Sequence, residues 1–171
     1  MSLSKKLFWG GLGWVLAGGP IGAILGVAFA SLSQNSSSNW SDMDLGNNKR
    51  SPTKHGDFVI CVLVLFAKVM QADGKLLKSE LDYIKEFLLK QFGTVQTQEL
   101  MIVFKDILKQ DYPLRDVCNQ IQRSMDHPSR LELIHILYGL SASDGHIHHS
   151  EVHIIKIMAH YLKINSKDYE S

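Results

Sequence analysis

Two cysteines, Cys61 and Cys118, are the only thiols in this chain of 171 residues. Both sit among apolar residues in helix-like segments, which excludes the disulfide framework of a small secreted domain and reads as buried thiols in a reducing compartment. Clustered basic charge is missing too: the formal net charge is +1, and charges alternate in sign along the chain. A nucleic-acid partner is therefore not expected, because phosphate neutralisation draws Lys and Arg together. There is no nucleophile motif, no glycine-rich phosphate loop and no carboxylate pair in an evident apolar pocket, so an enzyme is not expected either. No segment alternates apolar and polar residues convincingly as a half-buried strand does.

What is present begins with an uncharged run. Leu7 to Leu32, "LFWGGLGWVLAGGPIGAILGVAFASL", carries no charge and exceeds the roughly 20 residues that span a bilayer. Residues 1–32 are expected to be a glycine-rich membrane anchor with one transmembrane helix, a secretory signal peptide ending near "AFASLS" being the alternative. Trp9 and Trp14 stand where aromatic rings favour the interface. Gly18, Gly22 and Gly26 recur every fourth residue, the spacing that lets a second helix approach; they are candidates for homodimer contact, against a reading as ordinary transmembrane composition. Pro20 would kink this helix or shift its start. Residues 33–54, rich in Ser and Asn, read as a flexible linker. Lys5 and Lys6 are balanced by Lys49, Arg50 and Lys54, so the free cysteines decide orientation and place the globular part in the cytoplasm.

Residues 55–171 show helical spacing throughout. "FVICVLVLFAKVMQA" is apolar almost all round and predicts a central buried helix. A second helix is expected over Ser79 to Phe92, and a third with Leu100, Val103, Phe104, Ile107 and Leu108 inward. Pro113 suits the first turn of a fourth, Pro128 and Ser129 open a fifth, Ser150 opens a sixth, and a short piece after Ser166 begins another. The fold class is an all-α bundle of about six to seven helices behind the anchor.

One pattern is written twice. "ADGKLLKSEL" and "ASDGHIHHSEV" align on Asp73 and Asp144, 71 residues apart, and both read Asp-Gly-x-apolar-x-x-Ser-Glu-apolar. Asp73, Gly74, Leu76 and Glu80 match the second half of a calcium loop, as do Asp144, Gly145, Ile147 and Glu151. The first half fails, since Val69 and Gln71 or Leu140 and Ala142 would stand at its first ligand positions. Two readings stay open. In one the pattern is a helix corner: glycine just past a helix end, Ser79 and Ser150 as N-caps, the glutamates at the positive helix end, and Leu76 and Ile147 plugged into the core. In the other, Asp73, Glu80, Asp144 and Glu151 form a shared, weak site for a divalent cation or a cationic partner. His146, His148, His149 and His153 add a zinc alternative to a solvated, pH-sensitive loop, with His149 expected before the N-cap.

These corners, with "DYPLR" between them, resemble the TerB-like domain. Together with "GGPIGAILGVAFA" the chain is similar to the amino-terminal part of the DjlA-type membrane-anchored DnaJ-like co-chaperones. The resemblance implies a seven-helix cytoplasmic domain on the bacterial inner membrane, a chaperone or stress-system component as protein partner, and metal binding through Asp73, Glu80, Asp144 and Glu151. DjlA-type proteins also carry a J domain with a His-Pro-Asp motif. Here His127-Pro128 is followed by Ser129 and lies between helices, so Hsp70 stimulation is not expected of these residues. The resulting expectation is a membrane-anchored sensor or adaptor of a chaperone or envelope-stress system, the alternative being a metal-binding tellurite-resistance protein.

Overall fold

The computed structural model describes residues 19–33, 55–72, 74–143 and 145–169, and all its elements are α-helices. They are α1 (Gly19–Ser33), α2 (His55–Ala72), α3 (Lys78–Lys109), α4 (Leu114–Ser124), α5 (His127–Ser141), α6 (His149–Tyr161) and α7 (Ser166–Tyr169). The all-α expectation holds among these residues.

The apolar helix α2 is the hub, because a helix without a polar face must be covered on all sides. Val59 to Ala67, then Val69 and Met70, are buried, and α3, α5 and α6 pack around them. Phe66 stacks on Phe104 of α3 with centroids 6.1 Å apart, and the buried Tyr112 hydroxyl donates to the Val64 carbonyl at 2.6 Å. The two helices expected between Ser79 and Leu108 together form α3 and meet at a kink at Gly93, whose φ of 78° and extended ψ are non-helical. Asp126 caps α5 by accepting the Ser129 N–H at 2.9 Å, with Pro128 tolerated in the first turn. The Arg130 guanidinium donates to the Leu162 carbonyl and ties the start of α5 to the end of α6.

The described part of the expected anchor behaves as a packed helix. Ile21, Ile24, Leu25 and Ala28 of α1 are buried within the same hydrophobic core as α2, and α1 rests on α3 and α4. Each Ile or Leu so buried contributes about 1.5–3 kcal/mol. With 15 residues, α1 rises about 22 Å at 1.5 Å per residue, short of the roughly 30 Å of hydrocarbon in a bilayer. Among the described residues no helix is long and apolar enough to cross a membrane; Leu7 to Gly18 of the expected span lie outside them.

Candidate functional site

The described parts of the two repeats share a glycine turn and the way the next helix starts. Past the end of α2, Gly74 takes φ +73°, and past α5, Gly145 takes φ +85°. The Gly74 N–H donates to the Gln71 carbonyl at 3.2 Å and the Gly145 N–H to the Ala142 carbonyl at 3.0 Å. A Cβ at either glycine would meet nothing within 4 Å. The left-handed backbone alone therefore selects glycine here.

The next helices begin two residues earlier than serine caps would place them. Leu77 and His148, both extended, are the N-cap residues, and Ser79 and Ser150 lie inside the first turn. Neither cap side chain bonds the helix end. The glutamates reach back instead: the Leu77 N–H donates to Glu80 Oε2 at 3.4 Å and the His148 N–H to Glu151 Oε2 at 3.0 Å. This is half of a capping box, and it sets each carboxylate at the positive helix end. The side chain of Gln71 braces the first corner, donating to the Leu108 carbonyl at 2.8 Å.

Burial in these corners runs opposite to the expected plug. Glu80 and Glu151 are 2% and 0% exposed, whereas Leu76 and Ile147, equivalent positions of the repeat, are 58% and 40% exposed. Capping explains the inward turn of the acids, since each must reach its own helix start. It does not account for the outward apolar residue found in both copies.

The second corner also holds oxygens without hydrogen-bond partners. Glu151 Oε1, Ser141 Oγ and Ser143 Oγ are buried and unpaired, a cost of about 1–3 kcal/mol for each buried unsatisfied group. The first corner has Met70 and Ala72 where the second has Ser141 and Ser143. Periodicity gave no signal for these serines, because they interrupt neither the helical spacing nor the motif. Carboxylate and hydroxyl oxygens are of the kind that hard divalent cations take, and three are too few to enclose Ca²⁺ alone.

Asp73 and Asp144, which complete the proposed metal set, lie outside the described residues. Among the described residues no group of three or more His, Cys, Asp or Glu is placed to hold a metal ion. His146 and His148 are exposed before α6, and His149 is its first residue instead of preceding the cap. Of the glycines proposed for helix association, Gly18 lies outside the described residues, Gly22 is half-buried and Gly26 is exposed on α1, with nothing within 4 Å of its Cβ position.

The family profile described as "Tellurite resistance protein TerB" matches residues 60–171. No curated protein matches the chain, and no solved structure does.

Proposed function

The chain belongs to the TerB family, and from that premise we propose that it is a membrane-anchored adaptor of a chaperone or envelope-stress system on the bacterial inner membrane. Its helical bundle would face the cytoplasm, and its two corners would meet a protein partner. The observation that carries this reading is the repeated inversion of the corners, with acid inward and Leu76 and Ile147 outward. A corner serving the fold alone gains by burying those two side chains. Single exposed apolar residues are ordinary; the support here is that the same exposure recurs at matched positions of the repeat.

Replacing Leu76 and Ile147 with Asp tests the reading. Because both are exposed, thermal stability should stay within about 0.5 kcal/mol of wild type, while partners recovered from solubilised membranes should be lost. Recovery of the same partners by the double variant would refute the adaptor reading.

A second reading is supported by the unpaired oxygens of the second corner. Glu151, Ser141 and Ser143, with Asp144, would hold a divalent cation, and Asp73 and Glu80 would be the counterpart in the first corner. A bound cation would supply positive charge that relieves repulsion between carboxylates. The residues' own part is to present oxygens and to keep the backbone of the corner fixed. In this reading the chain is a metal-binding tellurite-resistance-type stress protein, and cation and partner binding need not exclude one another.

A further inference from the structure

Helix α1 carries two signatures that do not ordinarily occur together. The first is a set of specific ties to the bundle. Gln120 of α4 accepts the Ile21 N–H at 2.9 Å, a first-turn donor with no acceptor inside its own helix. Gln110, just beyond α3, donates to the Ile24 carbonyl at 3.0 Å. Both glutamines read the α1 backbone, while Ile21, Ile24, Leu25 and Ala28 fill the core below it. A helix meant only for lipid has no need of such bonds.

The second signature, over the described side chains of residues 19–28, is an outer face without a polar residue. Ala23, Gly26 and Val27 turn to solvent, Val27 at 55% exposure. No charged residue occurs in α1 or anywhere from Leu7 onward to its end. A helix meant only to rest on a soluble bundle carries polar residues on its outer side. Both faces of α1 suit lipid, and one face also suits the groove between α3 and α4.

We infer that α1 is an exchangeable helix, docked on α3 and α4 when no bilayer takes it and released from them when residues 7–32 enter lipid. The inference rests on the membrane-anchor part of the proposed function. The two states exclude each other at one residue. In docked α1 Gly19 has φ +85°, whereas a helix continuing through residue 19 requires the helical φ there. Glycine allows both, and Pro20 makes the helical one a kinked passage. A Cβ on docked Gly19 would also lie 2.8 Å from Gln120 Cδ, displacing the side chain that holds the Ile21 N–H. Release would uncover the apolar faces of α3 and α4, so membrane entry and exposure of that groove are coupled.

The test uses the full chain with Trp40→Phe, leaving Trp9 and Trp14 as reporters, and vesicles of phosphatidylcholine with phosphatidylglycerol. Tryptophan emission reads insertion, and hydrogen exchange at the Ile21 amide reads docking. Vesicles should shift emission to the blue and speed Ile21 exchange together. Gly19→Ala, which penalises the left-handed conformation by about 5- to 30-fold in the docking equilibrium, should bring both changes to correspondingly lower lipid. Gly26→Ala, with open space at its Cβ, should not. If Gly19→Ala does not fold, Gln120→Leu should act in the same direction. A blue shift with Ile21 exchange unchanged would overturn the exchange while leaving the anchor in place. No blue shift with these vesicles would overturn both.

Discussion

Alanine at the two corner glycines should destabilise the protein by nearly equal amounts. Gly74 and Gly145 sit at φ +73° and +85°, where an L-residue with a Cβ costs roughly 1–2 kcal/mol. Neither site adds a steric term, because nothing lies within 4 Å of the Cβ positions. Each single variant should therefore lose about 1–2 kcal/mol in urea unfolding, a fall of about 2–8 °C in Tm for a chain of this size. Gly139 supplies the control. It lies inside α5 without a positive φ and with the same open surroundings, so Gly139→Ala should stabilise by about 0.5–1 kcal/mol. Stabilisation by all three substitutions would refute the left-handed corners. A loss well above 3 kcal/mol at one corner alone would refute their equivalence.

Tyr112→Phe should cost about 0.5–1.5 kcal/mol by removing the bond to the Val64 carbonyl, while the ring stays beneath the Lys68 ammonium 4.3 Å from its centroid; equal stability in urea would refute that bond. The side-chain and backbone bonds with Ser129 hold the Asp126 carboxyl below its ordinary range, so Asp126 stabilises the fold above that range and ceases to do so as pH falls through its lowered value. Asp126→Ala should accordingly reduce Tm near neutral pH, and the gap from wild type should close in strong acid. Burial pushes the Cys118 thiol up to about 12, so at mildly alkaline pH a thiol reagent should label it only as fast as the protein opens.

The sequence exposed the bundle more fully than it exposed the site. Unbroken apolarity announced α2 as the hub, and Pro113 and Pro128 marked helix starts, because both signals act locally. The glycines of the corners were legible for the same reason. The direction in which Leu76 and Ile147 point was not, since it depends on where each helix begins, and Leu77 and His148 displaced the expected serine caps through the backward reach of Glu80 and Glu151. The seating of α1 was hidden because it rests on Gln110 and Gln120, polar residues 86 and 99 positions away from their partners. Ser141 and Ser143 carry no signal in the sequence because an unpaired oxygen is a property of packing.

The most direct measurement on the central claim, that the doubled corner is a binding feature as well as a turn, is a calorimetric titration of the full chain with Ca²⁺, Mg²⁺ and Zn²⁺. The oxygen-seeking cations should bind weakly and saturably, at about millimolar as for sparsely ligated calcium sites, and Glu151→Gln or Ser141→Ala with Ser143→Ala should reduce the binding. Asp73→Asn with Asp144→Asn should abolish it while the helical fold persists. No saturable heat from any of the three cations with the folded wild-type chain, together with unchanged partner recovery by the Asp73→Asn, Asp144→Asn variant, would contradict the claim and leave a helix corner written twice.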